Sequence, residues 1–203
     1  MKWVLASNNA GKVSEFRALF ADLGIAITAQ GELGVEDADE TGLSFIENAL
    51  IKARHAAKMT GLPAIADDSG LCVDALNGAP GIYSARYAGK HGDAAANNTQ
   101  LLANLAGVAD VERSARFVCA LAFVSHAEDP LPVIAEGQWV GRILDTPAGD
   151  GGFGYDPLFF DATQGMSAAA MPAALKNRLS HRAQALQQLR AALLSRGIAA
   201  IHV

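Results

Sequence analysis

Cysteine is almost missing from this chain. Cys72 and Cys119 are the only two among 203 residues, and no metal-type spacing relates them. Both lie in apolar stretches, which predicts buried, reduced thiols and a cytoplasmic compartment rather than a disulfide framework. Basic residues are also short: 16 Lys and Arg stand against 21 Asp and Glu, for a formal net charge of −5. Duplex nucleic acid is normally met by a basic footprint, so the charge balance argues against that partner. A small anion served by a few local cations or a metal remains compatible. No apolar run approaches bilayer-spanning length, so no membrane partner is expected. Met1 to Ala6 is too short for a signal peptide, and Ser7, Asn8 and Asn9 end it. Internal repeats are absent, and alanine enrichment is the only compositional bias.

What is present is apolar material. Hydrophobic residues make up 51% of the chain, enough to core one large domain or two intimate lobes. The stretch Ala64–Gly70 stands out. Ala64, Ile65 and Ala66, behind Pro63, suit the end of a buried strand; Asp67 and Asp68 follow, and Ser69 and Gly70 are expected to turn the chain. Neighbours in a strand point to opposite faces, so only one of the two acids can face a given site. Buried carboxylates require a cation or hydrogen-bond donors. A hard divalent ion such as Mg2+ takes oxygen ligands of this kind, and a polar turn with Asp67 accepting local N–H groups is the alternative.

The remaining punctuation is regular. Trp3–Ala6 reads as a first strand, Ser7-Asn8-Asn9-Ala10-Gly11-Lys12 as a polar turn, and a helix beginning near Lys12 buries Val13, Phe16, Phe20 and Leu23 before Gly24. Strand, glycine-containing turn and helix can present N–H groups to a phosphate; an ordinary connection capped by Asn9 is the other reading. The turn is not a P-loop, because Ala6 and Val13 occupy positions that require glycine and a hydroxyl. Ile25–Ala29 suits a second strand. After an acidic run, Ser44 and Glu47 form a capping box for a helix reaching about Met59, and Glu40 just ahead of it is a candidate second metal ligand beside Asp68. Leu71–Leu76 is predicted to be a strand. Asp93 caps a helix to about Leu105, and Arg113–Val124 is apolar on both faces, as in a central strand. Val133–Ile143 alternates and pairs with it.

Gly149-Asp150-Gly151-Gly152-Phe153-Gly154-Tyr155-Asp156-Pro157 matches Gly-x-Gly-x-x-Gly by letter. Pro157 and the strand-like Leu158-Phe159-Phe160 follow where a helix should start, which rules out a dinucleotide fingerprint. Two readings remain: a loop that closes an aromatic ring over a flat ligand, or a long turn with its aromatics in the core. Pro172 suits the start of a helical turn carrying Lys176. Ser180 caps a last helix with Leu186, Leu189 and Leu193 inside and Gly197 as its stop. His181 and Arg182 fall in its first turn, where cations oppose the dipole unless an anion or polar base edge binds nearby.

Together these segments ask for a ligand that is polyanionic, metal-bound and planar, as a nucleoside triphosphate with Mg2+ is. The chain resembles the inosine triphosphate pyrophosphatase family, bacterial type, over almost its whole length. The resemblance is carried by Ser7–Lys12, Glu40–Ala49, Ala66–Gly70, Gly78–Tyr87, Gly151–Pro157, and Lys176 with Ser180-His181-Arg182. It implies an α/β fold over residues 1–203: a long mixed central sheet flanked by helices, in two lobes with a cleft between, usually as a homodimer. It implies hydrolysis of non-standard purine nucleoside triphosphates (dITP, ITP, XTP) to monophosphate and pyrophosphate. Ser7, Asn8, Asn9, Ala10, Gly11 and Lys12 would cradle the triphosphate. Asp68 would be the catalytic proton acceptor and, with Glu40, a Mg2+ ligand. Ser69, Phe153, Gly154, Tyr155, Asp156, Lys176, His181 and Arg182 would contact the nucleotide. Met166–Pro172 departs from the family, which is often more acidic and polar there.

Overall fold

The computed structural model describes residues 1–200. Strands are β1 (Lys2–Leu5), β2 (Ala26–Ala29), β3 (Ala64–Val73), β4 (Ser114–Val124), β5 (Val133–Ile143), β6 (Phe159–Asp161) and β7 (Met166–Ser167). Helices are α1 (Ala10–Phe20), α2 (Phe45–Thr60), α3 (Ala94–Asn104), α4 (Ala173–Leu179) and α5 (His181–Ser195). The strands form one seven-stranded sheet in the order β2-β1-β3-β4-β5-β6-β7. It is mixed: β1 is parallel to β2 and β3, whereas β5–β6 and β6–β7 are antiparallel. No helix among the described residues is long and apolar enough to cross a membrane.

The chain divides into two compact units. The first comprises Met1–Asp68, Ala120–Glu136 and the chain from Ala185 onward; the second comprises Ser69–Cys119 and Gly137–Gln184. In the first, strand order 2-1-3 decides where the helices go. Parallel strands are joined by right-handed crossovers, so a step outward from β1 to β2 and a step back past β1 to β3 place α1 and α2 on opposite faces. The packing agrees. Trp3 meets Phe20 of α1 with ring centroids 5.6 Å apart, while its neighbour Val4 clusters with Ala49, Ala53, Ala56 and Ala57 of α2. The α2 face is alanine throughout, which lets that helix lie close to the sheet. Its start is the expected capping box: Ser44 Oγ accepts from Glu47 N, and Glu47 Oε2 accepts from Leu43 N. Gly61, at φ +69°, ends it.

In the second unit, Leu71, Val73, Leu101, Leu105, Phe117, Trp139, Tyr155 and Phe159 share a core. Asp93 caps α3 by accepting from Ala96 N. Pro157 is followed by β6, as the rejection of a dinucleotide loop requires.

Three sequence expectations shift. First, α1 begins at Ala10 rather than near Lys12, because Asn9 accepts from Lys12 N and so caps the helix two residues earlier. Second, Ser69 and Gly70 do not turn the chain: β3 runs unbroken from Ala64 to Val73, since both residues sit inside the ladder. Third, that strand ends at Val73, and Asp74–Leu76 is a short 3-10 turn.

Replacing a buried alanine on α2 tests the close approach. Ala53 is fully buried, and Ala53→Leu is expected to cost about 1–3 kcal/mol by overpacking, read as a lower urea midpoint.

Candidate active site

The register Val4↔Ala64, Leu5↔Ile65 sets Asp67 and Asp68 level with the turn that leaves β1. Strand order reverses here, and open parallel sheets bind ligands at the carboxyl ends of such strands. Alternation then separates the two acids. Ala64 and Ala66 belong to the α2-side cluster, so Asp68 shares their face and Asp67 takes the other.

Asp67 is met by α1. Lys12 Nζ donates to both of its oxygens, at 2.8 and 3.0 Å, and the Asp67 side chain is 1% exposed. Asp67 therefore serves as the buried counter-ion of Lys12. The turn before α1 is held by its own side chains: Ser7 Oγ accepts from Asn9 N at 3.2 Å, and Asn9 Oδ1 from Lys12 N at 3.0 Å. Asn8 Oδ1 accepts from Gly31 N at 2.8 Å. A β-carbon on Gly31 would collide with that oxygen, so the closure depends on glycine. No acidic residue occupies the first turn of α1, and its opening N–H groups and positive dipole end are left for an anion.

Asp68 is met by α2. Lys52 Nζ donates to Asp68 Oδ1 at 3.1 Å and to Glu40 Oε1 at 2.8 Å. Asn48 Nδ2 donates to Asp68 Oδ2 at 3.3 Å, and Asn48 Oδ1 accepts from Gly42 N at 2.9 Å. Burial pushes the Asp68 carboxyl above its ordinary pKa; Lys52 pulls it back, and Glu40 pushes it up again. For Lys52, burial disfavours the charge, but Asp68, Glu40 and Asp67 outweigh it and hold the ammonium above its usual pKa. The two partners of one ion pair thus shift as if one were content and the other not. The charges explain it: Lys52 faces three carboxylates, whereas Asp68 faces one cation and a second acid. A cluster with more negative than positive charge, with Glu40 and Asp68 on one ammonium, suits a further cation.

Lys52 and Asn48 were not anticipated from sequence. Their spacing of four within a helix whose phase is set by the capping box was the available signal. Ser69, next along β3, is half-buried.

In the second unit, the glycine loop is built around Asp156, which is 2% exposed. Its Oδ2 accepts from Phe153 N at 2.6 Å and from Lys176 Nζ. Gly152, at φ +74°, has no room for a β-carbon against that carboxylate. The two aromatics separate. Phe153 is 67% exposed, and Lys176 Nζ, from α4, lies 4.5 Å from its ring centroid. Tyr155 is 5% exposed, and its hydroxyl donates to Ser84 O at 2.7 Å. Burial first, and Tyr87 second, raise the Tyr155 pKa, so it stays a protonated donor. The loop thus offers one ring to a ligand and keeps the other in the core. Gly154 O accepts from Asn98 of α3 at 3.0 Å. Ser180 Oγ accepts from Ala183 N at the start of α5. There His181 stacks on Phe117, centroids 4.9 Å apart and planes 14° apart, and Arg182 beside it is half-buried.

Comparison with known proteins follows the same lines. A sequence model of the Ham1 family matches residues 3–192. The chain is 63% identical to a dITP/XTP pyrophosphatase of Xylella fastidiosa, over 92% of this chain and 94% of that protein. It is 57% identical to one of Shigella flexneri, over 95% and 98%. Among solved structures, a HAM1 protein from Coxiella burnetii superposes with a TM-score of 0.92 at 48% identity, covering 96% of this chain and 99% of that one. The Staphylococcus aureus Ham1 protein gives 0.89 at 39% identity, covering 97% and 100%.

Two substitutions probe the first unit. Gly31→Ala is expected to displace Asn8 and weaken inorganic triphosphate binding about 10-fold, read by calorimetry. Lys52→Met leaves the buried Asp68 and the half-buried Glu40 without their cation and is expected to lose on the order of 3 kcal/mol at neutral pH. Removing the cation raises the folded-state pKa of Asp68 further above its unfolded value. The folded state then takes up the proton more readily, so the deficit in urea denaturation shrinks as pH falls.

Proposed function

The chain belongs to the Ham1 family, and from that premise we propose that it hydrolyses non-standard purine nucleoside triphosphates, dITP, ITP and XTP, to the monophosphate and pyrophosphate. The observation that carries this reading is Asp68. It is a buried acid, held by Lys52 and Asn48, level with a strand-to-helix turn of the phosphate-binding kind.

Water attacks the α-phosphorus and pyrophosphate leaves. Such chemistry rests on positioning and charge neutralisation more than on covalent catalysis. The turn Ser7–Lys12 supplies N–H donors and the Lys12 ammonium to the triphosphate. Asp67 holds that ammonium in place. Asp68 orients the attacking water and accepts its proton. Glu40 and Asp68 are the residues that would hold Mg2+. Two carboxylates with the rest of the shell from phosphate and water is how this ion is usually bound. When bound, Mg2+ neutralises charge on the phosphates.

In the second unit, Phe153 is the ring available to stack on a purine. Lys176, His181 and Arg182 supply donors suited to the 6-keto oxygen of hypoxanthine or xanthine. Adenine presents an amino group there, and leaving buried donors unpaired can discriminate by roughly 10^4-fold. The family resemblance also supports a homodimer located in the cytoplasm.

Product analysis tests the reaction. Purified protein with Mg2+ should release monophosphate and pyrophosphate from ITP, dITP and XTP, and little from ATP, GTP or dTTP. Orthophosphate with a diphosphate would place the attack at the γ-phosphorus and overturn the mechanism. Chelation should stop turnover, and Asp68→Asn should fold normally while losing about 10^2- to 10^4-fold in kcat.

A further inference from the structure

Two adjacent asparagines on α3 reach two different loops. Asn97 is buried; its Nδ2 donates to Ser84 O and Ala85 O, and its Oδ1 accepts from Ala88 N. Ser84 O also accepts from the Tyr155 hydroxyl, so Asn97 supports the place where Tyr155 is anchored. Asn98 turns roughly 100° away around the helix and acts on the glycine loop itself. Its Nδ2 donates to Gly154 O at 3.0 Å. A backbone carbonyl can only accept, so the amide nitrogen must face it, and the orientation of the side chain is settled.

The other end of that amide has no such use. Asn98 Oδ1 is buried and has no hydrogen-bond partner among the described residues. A buried acceptor left unsatisfied opposes folding, and an apolar side chain would suit a purely structural position better. The value of this residue therefore lies in its donor. The carbonyl it holds belongs to a glycine at φ +60°, the residue type with the widest choice of backbone angles. On one side of Gly154 is Tyr155, fixed in the core. On the other is Phe153, whose ring is 67% exposed. The Gly154 carbonyl lies on the Tyr155 side of the glycine, and Asp156 holds Phe153 through its N and O, so Asn98 fixes the far end of the short turn that carries the exposed ring.

We propose that Asn98 is a positioning residue for nucleotide recognition: by holding the Gly154 carbonyl it sets the pose of the Phe153 ring, and so governs affinity and base choice without touching the substrate. The inference rests on the reading that this chain hydrolyses purine nucleoside triphosphates. A ring stacked on the base acts alike in the ground and transition states, so its misplacement raises KM and spares kcat.

The test compares Asn98→Asp, which keeps the shape but sets an acceptor against the carbonyl, and Asn98→Ala, which removes the donor alone. Gln100→Ala on the same helix is the control. Both Asn98 variants should raise KM for ITP about 5- to 20-fold with kcat within about 3-fold, and should narrow the preference for ITP over GTP. Amide exchange across residues 149–157 should quicken in both, with the urea midpoint of Asn98→Ala close to that of the control. An unchanged KM in Asn98→Asp, a fall in kcat with KM constant, or a KM change matched by Gln100→Ala overturns the proposal. If Asn98→Asp does not fold, Asn98→Ala alone decides by the same KM and exchange criteria. Wild-type protein that leaves ITP intact would instead overturn the functional reading, a result separable from active wild type with indifferent variants.

Discussion

Two adjacent carboxylates in a buried strand are the constraint on which the first unit depends. Strand geometry sends Asp67 and Asp68 to opposite faces, and each then needs its own cation. Strand order 2-1-3 with right-handed crossovers lays a different helix on each face. Lys12 of α1 therefore answers Asp67, and Lys52 of α2 answers Asp68. Asp67 is saturated by a bidentate pair and keeps Lys12 beside the phosphate-type turn. Asp68 shares its lysine with Glu40 and remains the reluctant acid. A difference of one position along a strand thus separates an acid with its own lysine from one that shares its lysine with Glu40.

The second unit uses its polar groups for shape. Asp156 gathers Phe153 N and Lys176, Ser84 O accepts from Tyr155, and Gly154 O accepts from Asn98. These bonds hold a glycine-rich segment whose backbone would otherwise be free, and they leave the Phe153 ring exposed. Flat apolar surface beside donors is what selection among purines by their 6-substituent requires.

Much of this was legible before the structure. The capping box at Ser44 and Glu47, the Asn9 cap, the αL glycine after α2 and the doubly apolar β4 are local signals, because each records how a few neighbouring residues satisfy backbone groups or alternate between faces. The rejected dinucleotide loop was also readable, since Pro157 and β6 exclude a helix there. Less legible was the continuation of β3 through Ser69 and Gly70. Both residue types favour turns in isolation, and only their place within a long strand of the sheet keeps them extended.

Lys52, Asn48 and Asn98 were not singled out for a related reason. Each sits on a helix face where lysine and asparagine are ordinary, and the partners that define their roles, Glu40, Asp68 and Gly154, lie 12 to 56 residues away. The sequence by itself determined most helix caps and the residue types gathered at the candidate site, because caps, turns and alternation act over a few bonds. Which acid of the Asp67-Asp68 pair meets which lysine, and which aromatic of the glycine loop stays exposed, was decided by tertiary structure alone. Those outcomes depend on strand order and on the packing of distant helices, and neither is encoded in local spacing.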